Sequence, residues 1–218
     1  MKKIFIVANW KSNKRVSDIN AYAGIHEENN ASKEIIICPP FTLLSSLKTL
    51  IDEKKLSYKL GAQNISPFKA GAYTGEINGE QIKEFADYVI IGHSERRINF
   101  SESDDLLKKK VQQALASGLT PVYCIQDENT FVPQGVSLVA YEPVSAIGTG
   151  NPDTPKNAEK VAQAIMSKNQ SITTVLYGGS VTPENIASFV QQEHISGALI
   201  GGASLDPDKF AKLIKATG

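Results

Sequence analysis

Thr173–Gly202 reads TTVLYGGSVTPENIASFVQQEHISGALIGG, one complete strand, turn, helix and strand. TTVLYG and GALIG are apolar almost throughout rather than alternating, as parallel strands covered on both faces require. Between them, Thr182-Pro183-Glu184 predicts a helix start, with Ile186, Phe189 and Val190 on one helical stripe. A glycine pair follows each strand, Gly178-Gly179 and Gly201-Gly202. The same unit recurs along the chain. Further apolar, β-rich runs stand at KIFIVA (3–8), EIIIC (34–38), YKLGA (58–62), DYVII (87–91), TPVYCI (120–125) and SLVAYE (137–142). Ser103–Ser117 predicts a capped helix stopped by Gly118, and Thr154-Pro155 and Asp206-Pro207 open two more. Strand–helix alternation eight times over predicts an α/β protein with a closed (β/α)8 barrel, because a doubly wound open sheet usually has fewer strands.

One interval does not fit. Only about a dozen residues, QDENTFVPQGVS, separate the fifth and sixth strands, near the minimum for a parallel crossover. Pro133 and Gly135 lie inside it. The helix there is expected to be reduced or missing, with the exposed wall covered either by Thr130, Phe131 and Val132 as an extended segment or by a partner subunit. No linker, low-complexity tract or charge run marks a second domain, so residues 1–218 read as a single barrel domain.

Composition narrows the partners. The 218 residues carry 23 basic and 23 acidic side chains, so nothing favours nucleic acid or an anionic membrane, and attraction for an anionic substrate has to be local. The apolar run Ile4–Ala8 is too short for a signal peptide, and no run approaches a membrane span. Cys38 and Cys124 each fall within a strand run, which reads as buried thiols in a reducing, cytoplasmic compartment.

Chemistry gathers at the strand C-termini. Asn9-Trp10-Lys11 follows the first strand and Gly92-His93-Ser94-Glu95-Arg96-Arg97 the fourth. Glu142 ends the sixth, ahead of Pro143 and a loop containing Gly148 and Gly150. Gly178-Gly179-Ser180 and Gly201-Gly202-Ala203-Ser204 follow the seventh and eighth. Each fragment alone has an ordinary structural reading; their joint placement on one barrel rim does not. A carboxylate, a neutral imidazole and an ammonium around one small cavity suit proton abstraction beside a carbonyl. Two glycine-rich turns expose N–H groups that can cradle a phosphate. No Cys/His cluster or Asp/Glu pair stands at ligand spacing, so neither a metal nor a cofactor is expected.

NWK (9–11), HSERR (93–97), AYEPV (140–144), AIGTG (146–150), YGGSV (177–181) and GGASL (201–205) together resemble the triosephosphate isomerase family. AQN (62–64) and TGE (74–76) fit the same pattern. The resemblance implies a TIM barrel and the cofactor-free interconversion of D-glyceraldehyde 3-phosphate and dihydroxyacetone phosphate, within glycolysis and gluconeogenesis. It implies that Glu142 shuttles the proton, His93 acts as a neutral electrophile, Lys11 faces the oxyanion, Asn9 hydrogen-bonds beside it, and Glu95 stands behind Lys11. A helix beginning at Ser94-Glu95 would keep the imidazole neutral. It further implies that Gly148, Ser180, Gly201 and Gly202 hold the phosphate, that Ile147 and Leu199 clamp Glu142, and that Tyr177 braces the closed loop. A homodimer through the loop around Tyr73-Thr74-Gly75-Glu76 is expected. The alternative is a non-catalytic or altered-specificity sugar-phosphate-binding barrel; the joint presence of Asn9, Lys11, His93 and Glu142 stands against the first, and the AIGTG loop, suited to closing over a three-carbon substrate, against the second.

Four positions depart from the family pattern. Ser145 stands where the family has Trp in the first loop hinge, and Gln126-Asp127 where it has Gly-Glu after the fifth strand. In the family that Trp and Glu are partners, so the two changes form one coherent loss. Ser12 replaces an apolar residue in the first loop. Ser145→Trp is therefore expected to change turnover while leaving the reaction the same; identical turnover and inhibitor affinity in both proteins would show that the hinge residue is immaterial.

Overall fold

The structure, a computed structural model, describes residues 2–25, 32–143 and 152–218. Eight parallel strands pair in sequence order: β1 (Ile4–Asn9), β2 (Lys33–Cys38), β3 (Lys59–Ala62), β4 (Tyr88–Ile91), β5 (Thr120–Ile125), β6 (Leu138–Tyr141), β7 (Thr174–Tyr177) and β8 (Ile195–Ile200). β8 returns to β1 with Phe5 opposite Gly197 and Ala8 opposite Ile200, which closes the barrel. Closure pairs the ladder groups of every strand on both sides and leaves no free edge. The predicted strands all form, with boundaries shifted by no more than two residues.

Alternation along the strands divides the apolar side chains between two cores. Val7, Ile36, Cys38, Ile90, Val122, Cys124, Leu138, Ala140, Leu176 and Leu199 form one buried cluster. Their strand neighbours, such as Ile6, Ile37, Ile91, Tyr123 and Val139, belong to a larger cluster shared with the helices. Period-two alternation makes the smaller set the barrel filling and the larger set the layer beneath the helices. Both cysteines are free and buried in the filling.

The outer helices are α1 (Phe41–Lys54), α2 (Gly79–Lys83), α3 (Ser94–Asn99), α4 (Asp104–Ala116), α5 (Pro155–Lys168), α6 (Ile186–Val190) and α7 (Pro207–Ala216). Three begin where the sequence predicts. The side chains of Ser103, Thr154 and Asp206 accept N–H groups of Leu106, Asn157 and Lys209, satisfying first-turn donors that have no partner inside the helix. α6 is a correction. It starts at Ile186, not at Thr182-Pro183, because Asn185 folds the preceding residues into a turn: its Oδ1 accepts the Thr182 N–H (2.9 Å) and its Nδ2 donates to the Ser180 carbonyl (3.0 Å).

Between β5 and β6, residues 126–137 form turns and no helix. Thr130 Oγ1 accepts the N–H groups of Gln126 (3.1 Å) and Asp127 (3.2 Å), which curls the segment instead of extending it. Phe131 is 45% exposed, while buried Val136 and partly buried Val132 pack on the core. Of the residues expected to cover the wall as an extended segment, Val132 packs on the core and Phe131 does not, and the segment is turned at Thr130 rather than extended throughout.

Gly197 sits at the β8–β1 closure with φ +142°, and a Cβ there would lie 1.9 Å from the Phe5 carbonyl oxygen. Neither strand can retreat without opening the ring. Gly197→Ala is expected to destabilise the fold by about 2–4 kcal/mol, an overpacking cost added to backbone strain. Urea unfolding is the check, and a midpoint within error of the parent would refute it.

Candidate active site

The strand C-termini converge on an open cavity of about 540 Å³ that is lined by Asn9, Lys11, His93, Glu142, Leu199 and the turns 178–180 and 201–203. These residues come from β1, β4, β6, β7 and β8, segments up to about two hundred positions apart that only closure brings together.

Glu142 lies at the floor. Its N–H donates to the Ile125 carbonyl (2.8 Å), extending the β5–β6 ladder by one residue and fixing where the side chain leaves the barrel. The carboxylate is 2% exposed. Oε2 accepts the Ser94 N–H (2.9 Å), and Oε1 lies 3.0 Å from His93 Nε2. Burial pushes the Glu142 carboxyl above its usual range, opposed by His93, Ser94 and Lys11. Gly178 permits this packing, since a Cβ there would come within 2.8 Å of Glu142 Cγ.

His93 caps the N-terminus of α3. Its Nδ1 accepts the Glu95 N–H (3.3 Å), so the ring proton belongs on Nε2, pointing at Glu142. In that tautomer the imidazole donates one hydrogen bond, from Nε2. The expectation that a helix would begin directly after His93 holds, and the first-turn N–H it supplies is what selects this tautomer.

Lys11 takes up left-handed backbone (φ 51°) directly after β1. Its N–H donates to Asn9 Oδ1 (3.0 Å) and its carbonyl accepts from Gln63 Nε2 (2.9 Å), so a strained turn is held from both sides. Nζ pairs with Glu95 Oε1 (2.5 Å) and reaches the cavity beside Gly201, where a Cβ would meet Lys11 Cε at 3.1 Å. Glu95 does not line the main cavity but a second one of about 320 Å³ next to it, with Ser12, Asn64 and Phe100.

Tyr177 is buried, stacked on Phe189 (3.9 Å between rings), and its hydroxyl accepts the Asp153 N–H (2.8 Å). It thereby anchors the chain just after the loop that follows Glu142. Leu199 is 3% exposed and lines the cavity. Ile147 and Gly148, with the hinge positions Ser145 and Asn151, lie outside the described residues. Ser180, Gly201 and Gly202 all border the cavity.

Sequence reading missed several contributors. Ser94 acts through its backbone N–H and Gln63 through a side chain whose contacts are long-range, so neither carries a local signal. Arg97 donates to the carbonyls of Gly92 (2.8 Å) and Cys124 (3.2 Å), tying the His93 turn to β5. Glu159, Glu193 and His194 come within 4.8 Å of one another at the start of β8, a grouping not expected from spacing. His194 Nδ1 lies 2.6 Å from Glu159 Oε1, an ion-pair geometry joining α5 to β8. Among the described residues, no helix is long and apolar enough to cross a membrane.

Comparison with known proteins agrees with this architecture. The triosephosphate isomerase family model matches residues 4–137 and 133–217, and the split falls at the end of the short β5–β6 connection. A triosephosphate isomerase of Aquifex aeolicus (strain VF5) is 40% identical over 242 aligned positions, covering 96% of this chain and 97% of the relative. One from Mesomycoplasma hyopneumoniae (strain 7448) is 40% identical, covering 98% and 99%, and one from Dictyoglomus thermophilum is 38% identical, covering 99% and 100%. The alignment with the Aquifex protein is longer than the 218 residues available here, so that relative carries sequence absent from this chain. With the family model matched over nearly its whole length, the chain belongs to the triosephosphate isomerase family.

Proposed function

We propose that this chain interconverts D-glyceraldehyde 3-phosphate and dihydroxyacetone phosphate, with Glu142 as the base that carries a proton between adjacent carbons. The observation that carries the reading is the buried Glu142 carboxylate 3.0 Å from His93 Nε2, at the floor of a cavity bordered by two glycine turns. Desolvation makes the ionised carboxylate a stronger base than an exposed one. His93 donates to the carbonyl oxygen through Nε2, and the Lys11 ammonium offsets the enediolate charge. Asn9 aligns Lys11 by holding its N–H, and Glu95 holds the ammonium from behind. The N–H groups at Gly201, Gly202 and Ser180, with Gly148, receive the phosphate, remote binding that positions the reacting carbons. Ile147 and Leu199 would exclude water above the base, and Tyr177 fixes the loop's C-terminal flank. All of this belongs to one barrel domain.

The protein acts as a homodimer in this reading. In the loop after β3, Phe68 and Tyr73 are about two-fifths exposed and stack on each other (4.2 Å). Phe100, 64% exposed, borders the second cavity together with Asn64 at the root of that loop. Apolar surface this concentrated favours a second copy on this face. Two buried free thiols and soluble metabolite chemistry favour the cytoplasm.

Three outcomes follow. In a coupled assay with glyceraldehyde 3-phosphate, Glu142→Gln is expected to lower kcat by about a thousandfold, within the range for loss of a general base; a parent-like rate would exclude Glu142. Because the base must be ionised and burial raises its pKa, kcat/KM of the parent should fall as pH drops through a midpoint above the ordinary glutamate value of about 4.3. An acid limb at or below that value would contradict the desolvated base. Sedimentation at micromolar concentration should show a dimer, and a monomer alone would refute it.

A further inference from the structure

The cavity does not end at the glycine turns. Past Gly202 it continues between the first turns of α7 and residues 182–184, where Lys209, Lys212 and Glu184 line it. Lys209 and Lys212 are three residues apart on α7, hence on one helical face, and both are exposed. Among the described residues neither ammonium is held in a salt bridge.

Lys209 stands at a position that its helix disfavours. Asp206 is the N-cap of α7 and accepts the Lys209 N–H (2.8 Å), which makes Lys209 the third helical residue. At that position a glutamate would complete a reciprocal capping pair and meet the positive end of the helix; a lysine does neither. A local preference broken without a structural return is a mark of function. Charge balance points the same way. With 23 basic and 23 acidic side chains the chain has no net charge to gather a dianion, so attraction has to come from how charges are placed around the site.

We propose that Lys209 and Lys212 form an electrostatic entry to the site, drawing the substrate phosphate along α7 to the glycine turns without taking part in proton transfer. The proposal rests on the triose phosphate reading of the same cavity. Glu184, fully exposed at the same mouth, works against the two lysines and partly cancels their charge. Thr182 and the Glu184 N–H, then Lys212 and Lys209, hold its carboxyl below the usual glutamate range, so it is anionic under working conditions. The attraction is short-ranged, since the Debye length is about 10 Å at 0.1 M salt.

The test is Lys209→Glu/Lys212→Glu assayed with glyceraldehyde 3-phosphate at about 10 mM and about 0.5 M ionic strength, which set long and short screening lengths. At low salt kcat/KM should fall about tenfold with kcat unchanged, and at high salt the difference should shrink below about twofold, as for electrostatic capture. Glu184→Gln should shift kcat/KM the opposite way at low salt. Lys108→Glu/Lys109→Glu, the same change of net charge on the exposed face of α4, should leave it unaltered. Isomerisation of unphosphorylated glyceraldehyde should not respond to the Lys209/Lys212 pair. Thermal melting checks that α7 survives, and the glutamate placed at 209 suits its capping geometry. Unchanged kcat/KM at low salt, a loss indifferent to salt, or an equal loss from Lys108→Glu/Lys109→Glu would overturn the proposal while leaving the isomerase reading intact. A folded parent without isomerase activity would overturn both.

Discussion

Closure of the parallel ring at β8 and β1 is the constraint on which the rest of the molecule depends. Parallel strands that pair all the way round leave every C-terminus on one rim, and a barrel filled with side chains turns that rim into a floor. Residues from five strands then face one another without any of them being close in sequence. The closure itself hangs on a bare backbone approach, with Gly197 against Phe5, where no side chain has room. Gly178 leaves room for Glu142 and the Tyr141 backbone in the same way, while Gly201 lies close beside the Lys11 side chain.

The site sets two opposed forces on one carboxylate. Burial destabilises the Glu142 anion, while the Ser94 N–H and His93 Nε2 stabilise it. Hydrogen bonds of this kind can be exchanged for bonds to another donor, whereas burial of the carboxyl continues to raise its proton affinity. His93 receives its orientation from the same helix start: the Glu95 N–H fixes Nδ1 as an acceptor and leaves the Nε2 proton free to point inward. One turn of α3 thus supplies a donor to the Glu142 carboxylate and selects the tautomer of its neighbour His93.

The fifth unit shows how little a barrel needs outside its ring. Residues 126–137 cross between β5 and β6 without a helix, and the family match divides at the end of this crossing. Val132 and Val136 pack on the wall, and a groove of about 180 Å³ lined by Ile125, Ile165 and Ile172 remains beside it. The β5–β6 ladder is nonetheless complete from Val122–Leu138 to Ile125–Tyr141, so the register that places Glu142 is untouched. Strand pairing, not the outer layer, holds the chemistry in place.

The alternation of apolar runs and capped helical stretches was sufficient to read eight strands, the barrel and the shortened crossover, because each depends on local periodicity and on hydrogen bonds between near neighbours. The same holds for Ser103, Thr154 and Asp206 as caps. Where a side chain bonds backwards rather than forwards, local reading failed: Asn185 delays α6, and Thr130 curls a segment that composition suggested would extend. Residue types alone marked Asn9, Lys11, His93 and Glu142 by their position after strands. Their mutual distances, the parking of Glu142 on His93, the bracing of Lys11 by Gln63 and the tie from Arg97 to Cys124 could come only from the tertiary structure, since each joins segments that the chain separates by about thirty residues or more and that only ring closure brings within hydrogen-bonding reach.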